Sequence, residues 1–283
     1  MEGAALQRLH GDRLHMRHGP IDVVLRAWGT PDAVRAAEAA AAARFPAILP
    51  ELVQELPLLR RPVAESPAVQ GPVARRMVAA CAPFARRGVF VTAMAAVAGA
   101  VADELLEAMR AAAPIAKAYV NDGGDIACHV APGESLAIGM AANPDAGPGL
   151  DGALHLTAGG GIATSGRHGR SFSLGIADAV TVLADSAAAA DAAATLVANA
   201  VNLDSPAVRR RPARLLDPDS DLGDLPVTVG VGPLLPAEVE AALAAGAARA
   251  EAWRAAGLIR GAALRLAGRA HVAGPSPFLE SAA

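Results

Sequence analysis

Three stretches of this 283-residue chain hold the side chains best suited to chemistry. The first, residues 158–170, reads AGGGIATSGRHGR and sets five glycines among Thr164, Ser165, Arg167, His168 and Arg170. Glycine admits backbone conformations that a Cβ resists and lets the chain approach a ligand closely, while the basic side chains supply positive charge and hydrogen-bond donors. An anion suits such a loop, a phosphate or pyrophosphate above all. No Lys-Ser or Lys-Thr follows Gly166, so this is not a P-loop, and the glycine spacing is not that of the dinucleotide fingerprint. A plain glycine-rich turn between strands is the competing reading.

The second stretch, Asn121-Asp122-Gly123-Gly124-Asp125, reads as a tight turn. Asp122 and Asp125 there could bind a metal or the hydroxyls of a ribityl or ribose group; alternatively the Asn and Asp side chains satisfy their own backbone. The third is the pair Asp191 and Thr195, four residues apart on one face of an expected helix. A carboxylate and a hydroxyl so placed could give two oxygens to Mg²⁺, with carbonyls, water or a ligand phosphate completing the shell. Equally, Thr195 can bond to its own helix while Asp191 is a surface charge. His10, His15 and His18 also gather near the N-terminus, but strand alternation puts His15 and His18 on opposite faces, so surface histidines are expected rather than a metal site. Cys81 and Cys128 lie far apart with no C-x-x-C partner and read as small buried hydrophobes.

The elements that must position these residues follow from pattern. Residues 14–29 read as two strands joined at Gly19-Pro20. Thr30, Pro31 and Asp32 give a helix start, and the helix is expected to be interrupted at Pro46 and Pro50, then to continue as a shorter one ending near Pro57. Residues 71–82 suggest another short helix. Residues 92–112 have the strongest helical spacing, through Met94, Val97, Val101, Leu105 and Met109. Gly99 within that helix costs about 1 kcal/mol against alanine, which close packing of a backbone or a ligand would explain. Short strands follow as IAKAYVND, DIACHVAP and SLAIGM, then a loop over 143–152, the strand ALHLT into the glycines, and the strand ADAVTVLA leaving them. Ser186 caps the helix bearing Asp191, and a loop is expected over 204–224, before a strand at PVTVGVG, a helix over 236–256 and a closing hairpin. Mixed strands and helices without regular βαβ alternation make the class α+β.

Composition narrows the field. The length falls between one large domain and two ordinary ones, with 53% hydrophobic residues for a substantial core. A formal net charge of −3 gives no broad reason for nucleic-acid binding, and Arg209-Arg210-Arg211 reads as a short solvated loop. Aromatic residues are only 3%, too few for a base-stacking surface. The longest apolar run, residues 93–102, is about half of what a membrane span needs. The first residues show no signal peptide or lipidation motif, so a cytoplasmic protein is expected.

Three of these pieces in order carry a resemblance: GGDI at 123–126, GIATSG at 161–166, and DAVTVLADSA followed by helical ADAAAT at 190–195. The chain resembles the ApbE superfamily of flavin transferases and, more closely, the ApbE-like family UPF0280, through GPID, MAAVAGAVADE and YVNDGGDI. The resemblance implies an ApbE-like, T-fold-like α+β protein, a single domain over 1–283, with FAD or FMN as ligand and Mg²⁺ as metal. It places Asp191 and Thr195 at the metal, Gly123, Gly124 and Asp125 beside the flavin nucleotide, and Thr164, Ser165, Gly166 and Arg167 along the same cleft. The transferases attach FMN to a protein threonine or serine, and they carry a segment like His-Ile-Ile-Asp-Pro-x-Thr-Gly where this chain has only SFSLGIA, residues 171–177. Flavin binding without transfer to protein is therefore the expectation. The alternatives are an enzyme acting on a pterin-type or nucleotide-like cofactor, with His168 and Asp125 as acid and base, and a non-catalytic assembly protein. A partner for the latter would pack against the helix at 92–112, and a homodimer is a separate expectation.

Overall fold

The computed structural model describes residues 3–65, 67–140 and 152–274. The described residues fold into thirteen strands and five α-helices, an α+β arrangement of antiparallel sheets packed with helices. It divides into two compact units, one of Met1–Leu136, His155–Ala163 and Ala184–Ala192, the other of Ala137–Leu154, Thr164–Leu183 and Ala193–Ala283.

The first unit begins with β1 (Ala5–Leu9), β2 (Arg13–His18) and β3 (Ile21–Trp28). Gly19 turns the expected β2–β3 hairpin at φ +56°, a conformation that favours glycine. Strand β1 extends the sheet outward; Gln7 and Arg8 interrupt its apolar pattern, which is why the sequence did not disclose it. Next comes α1 (Pro31–Leu59), capped by Thr30 Oγ1, which accepts from Ala33 N at 3.3 Å. It does not break at its prolines: Pro46, Pro50 and Pro57 all lie inside one 29-residue helix. All three rings face solvent while Phe45, Ile48, Leu49 and Leu52 are buried, so burial of the apolar stripe outweighs the lost backbone hydrogen bonds on the wet side.

Helices α2 (Pro72–Ala85) and α3 (Val97–Ala112) complete the helical layer, α3 being preceded by a 3₁₀ turn at Ala93–Ala96 where one continuous helix was expected. Arg44 of α1 bonds both Glu51 and Glu104, and Arg76 of α2 reaches the same Glu104 on α3, tying the three helices together. They cover one sheet face, where Val23, Leu25, Ala118 and Val120 are buried. Strands β4 (Lys117–Asp122) and β5 (Asp125–Val130) form the next hairpin.

In chain order there follow β6 (Leu136–Met140), β7 (Gly152–Leu156), which pairs with it, β8 (Gly160–Ser165) and β9 (Ala179–Ala184). The expected loop over 143–152 falls almost wholly outside the described residues. Strand β8 pairs antiparallel with β5, Ile162 opposite Ile126 and Gly160 opposite Cys128. Helix α4 (Ala187–Ala200) leads to β10 (Val208–Pro212), β11 (Pro226–Val231), α5 (Pro236–Ala255), β12 (Gly261–Leu266) and β13 (Arg269–Ala273). Within the second unit β12 pairs with β9 and with β13, closing the expected hairpin. The arginine run is not a loop: Arg209, Arg210 and Arg211 lie on β10, paired with β11 through a bulge.

Candidate functional site

The residues picked out for chemistry meet most closely where β8, α3 and α4 approach in the first unit. A Cβ built on Gly161 of β8 would overlap the backbone of Ser186 and Ala187, and one on Gly99 of α3 would overlap the carbonyl of Ala187. Bare backbone at both positions lets a strand and two helix starts share one point. This answers the question Gly99 poses in the sequence: another backbone packs there.

Each helix start is capped by the other helix. Asp103 of α3 accepts from Ala187 N at 3.0 Å and Ala188 N at 2.9 Å, while Ser186 Oγ accepts from Ala189 N at 3.2 Å. With Ala190 N bonded to the Ser186 carbonyl at 3.0 Å, all four leading amides of α4 are satisfied. Reciprocally, Asp191 Oδ2 accepts from Gly99 N at 3.1 Å, at the start of a helix whose own N-cap, Ala96, has no side-chain hydrogen bond. Both N-termini are thus occupied by carboxylates of the chain itself.

Asp191 keeps part of its surface accessible, yet burial of its carboxyl raises its pKa well above the ordinary aspartate value. The charge of Asp125 is the next cause and Asp122 acts the same way, while the Gly99 and Ala98 amides pull in the opposite direction. Asp191 therefore feels both carboxylates of the turn. Burial likewise raises Asp103, against the lowering effect of its two amide donors. The buried thiols follow: burial pushes Cys128 up to about 12, and Cys81 is raised by burial and by Asp191.

The turn beside this group is the β4–β5 hairpin. Gly123 and Gly124 take φ +63° and +113°, and Asn121 Oδ1 accepts from Gly124 N at 2.8 Å, so the asparagine satisfies its own turn. Asp122 is buried and accepts from Asp22 N at 3.3 Å; Asp125 is half-buried and Gly123 and Gly124 are exposed. Among the described residues, no three His, Cys, Asp or Glu side chains are grouped to hold a metal ion. Thr195 stands one turn beyond Asp191 on α4, half-buried. His15 is half-buried with its Nε2 2.7 Å from Asp22 Oδ1, but His18 is buried and its ring packs near Phe45, not at the surface as expected.

The rest of the glycine stretch lies in the second unit. Thr164 Oγ1 lies 2.8 Å from Thr181 Oγ1, and a Cβ on Gly166 would overlap the Asp178 carbonyl. Arg167, read as an anion ligand, donates through Nε and Nη2 to Asp178 Oδ1 at 2.8 and 2.6 Å. His168 Nε2 lies 3.4 Å from the same oxygen, and Asp178 Oδ2 accepts from Ala267 N at 2.6 Å. Asp178, which the sequence did not single out, thus answers much of the positive charge; its position after a glycine stretch gave no local signal. The connection at 171–177 is bound to the end of α4: Leu174 N donates to Asn199 Oδ1 at 2.9 Å, Asn202 Nδ2 donates to the Leu174 carbonyl at 2.9 Å, and Ile176 N bonds the Val201 carbonyl at 2.8 Å. A separate depression of about 500 Å³, lined by Glu240, Leu243, Ala244, Arg269, Ala270 and His271, contains none of the residues singled out above.

An α+β chain with glycine-bare strands and helices meeting beside a carboxylate group defines the class. Residues 5–272 match the family described as AbpE bacteria, and the chain belongs to that family, as the three motifs led us to expect. Among curated relatives, the UPF0280 protein of Methanopyrus kandleri is 39% identical over 140 residues, covering 47% of this chain and 51% of that one. The UPF0280 protein of Methanothrix thermoacetophila is 40% identical over 136 residues, covering 47% and 54%. The chain thus spans about half the length of the curated relatives it matches. Among solved structures, the ApbE protein of Thermotoga maritima has a TM-score of 0.43 at 15% identity, covering 71% of this chain and 88% of that one. The flavinyl transferase ApbE of Pseudomonas stutzeri, in its apo form, has a TM-score of 0.41 at 14% identity, covering 97% and 94%. Among the described residues no helix is long and apolar enough to cross a membrane.

Proposed function

We propose that this protein binds a flavin nucleotide, FAD or FMN, or a related phosphorylated cofactor, together with Mg²⁺, and does not transfer FMN to protein. The observation that supports the reading is the buried carboxyl of Asp191, raised by burial and by the charges of Asp125 and Asp122, a strain that a hard divalent cation would relieve. In this reading Asp191 holds the cation from the start of α4, Thr195 contributes from the next turn, and backbone carbonyls or ligand phosphate complete a set that the carboxylates do not fill alone. Bound Mg²⁺ would neutralise pyrophosphate charge. The exposed Gly123–Gly124 turn, with Asp125, offers backbone and a carboxylate to the nucleotide hydroxyls; Thr164, Ser165 and Gly166 are assigned to flavin binding by the motif resemblance alone. Arg167, held by Asp178, orients that loop and supplies little net charge; His168, beside the same carboxylate, is the remaining candidate for proton transfer.

The reading against transfer rests on residues 171–177, whose backbone is committed to the end of α4. Flavin titrations by calorimetry, with and without Mg²⁺, test the proposal. Saturable FAD or FMN binding that requires Mg²⁺ and weakens at least tenfold in Asp191→Ala is the expected result. Absence of binding by either flavin would sink it.

A further inference from the structure

We propose that Arg167, His168 and the amide of Ala267 form an anion site that the chain fills with its own Asp178 carboxylate, and that a phosphate or pyrophosphate group enters this loop only by displacing Asp178.

Donors converge on that carboxylate from two separate turns of the chain. Arg167 donates to Oδ1 through Nε at 2.8 Å and through Nη2 at 2.6 Å, and His168 Nε2 stands 3.4 Å from the same oxygen. Ala267 N, in the β12–β13 turn, donates to Oδ2 at 2.6 Å. A guanidinium edge, an imidazole and a backbone amide aimed at one pair of oxygens are the groups with which proteins hold phosphate. Arg170, exposed on the same loop, adds a further positive charge.

The frame that carries these donors stands without the carboxylate. Arg167 N bonds the Ala177 carbonyl at 2.9 Å, Gly169 N bonds the Gly166 carbonyl at 3.1 Å, and the Asp178 amide bonds the Arg265 carbonyl at 2.9 Å. Gly166 has no Cβ where one would overlap the Asp178 carbonyl, so the loop and the strand behind it touch backbone to backbone. On the other side the turn is fixed by the pairing of Leu266 with Arg269, with Ala267 and Gly268 at φ +49° and +77°. None of these bonds uses the Asp178 side chain. Removing it takes away the occupant and leaves the donors in place, which is what separates a filled site from a structural tie.

Access and charge decide what can replace the occupant. The Asp178 side chain is 19% exposed, and His168 and Ala267 are exposed, so an anion reaches the donors from solvent without opening the core. Asp178 is held at a high effective concentration by the chain, which shuts the loop to weak, singly charged anions. A pyrophosphate brings more than one negative charge to the same donors and competes where a carboxylate does not. The site needs neither Mg²⁺ nor any residue of the first unit, and the proposal does not rest on the flavin reading.

Calorimetric titration of the full chain with sodium pyrophosphate, in EDTA and without flavin, tests this. Asp178→Ala should bind pyrophosphate about tenfold or more tightly than the wild type, and adding Arg167→Ala should abolish the gain. Asp178→Asn, which keeps the side-chain volume and an acceptor for the Ala267 amide, should show a smaller gain in the same direction. No gain in either variant while circular dichroism stays native overturns the proposal, as does a gain that survives Arg167→Ala. Loss of the native spectrum in both variants overturns it too, because the carboxylate would then be a structural tie. Failure of the flavin titrations leaves each of these outcomes unchanged, so the two readings fail separately.

Discussion

Removing the Asp103 carboxylate tests the reciprocal capping directly. Asp103→Ala deletes both acceptors of the Ala187 and Ala188 amides, 3.0 and 2.9 Å away, while Ser186 continues to serve the next two donors. The amides cannot turn to water freely, because the backbones of Gly99 and Gly161 close over Ala187. Each stranded buried donor costs about 1–3 kcal/mol, and loss of a helix cap typically about 1 kcal/mol. Against this, burial already raises the Asp103 pKa, so its ionised form carries a desolvation cost that the variant escapes. The balance is a loss of about 2–3 kcal/mol. In urea, with a slope of about 2 kcal/mol per M, the midpoint should fall by about 1 M with the slope unchanged. Asp103→Asn keeps one acceptor and should lose about half as much. An unchanged midpoint in Asp103→Ala, or a larger loss in Asp103→Asn, would refute the claim that this carboxylate satisfies the α4 start.

The same pair gives a pH prediction. Because the native pKa of Asp103 is raised above the unfolded one, the folded state holds its proton more tightly, and wild-type stability falls as pH rises from the ordinary aspartate range through the native value. Asp103→Asn lacks this effect, so its deficit should shrink with rising pH in urea melts from pH 4 to 8. Gly161→Ala should prevent folding or cost at least about 3 kcal/mol, read by thermal melting, because its methyl meets backbone; Gly88→Ala, at φ +77° with open space around it, should cost only about 1 kcal/mol. Pro46→Ala should raise the urea midpoint, gaining about 1 kcal/mol or more, since the ring is exposed and interrupts α1 hydrogen bonding. Cys81 and Cys128 should resist a thiol reagent at pH 8 until denaturant is added, as burial suppresses both thiolates.

What the sequence made legible was local. Thr30-Pro31-Asp32, Ser186 and the Asn121–Gly124 turn each act within four residues, and each behaves as expected. What it hid was distant or competitive. Nothing near Asp191 announces that its carboxylate serves Gly99, 92 positions earlier, or near Asp178 that it gathers Arg167, His168 and the Ala267 amide. The prolines of α1 misled for a different reason: a local rule about hydrogen bonds yielded to burial of Phe45, Ile48 and Leu49, which is a property of the tertiary structure.

The division of the chain has a consequence for how it is made. The first unit needs Ala184–Ala192, and its capping contacts join residues 84 to 92 positions apart. A ribosome emits the three helices and five strands of residues 3–130 long before the piece that closes them. Until Asp191 emerges, the start of α3 lacks its cap and Gly99 faces a gap. At about 5–20 residues per second, that interval lasts several seconds, during which the Gly99 end of α3 is open to a chaperone or to another nascent chain.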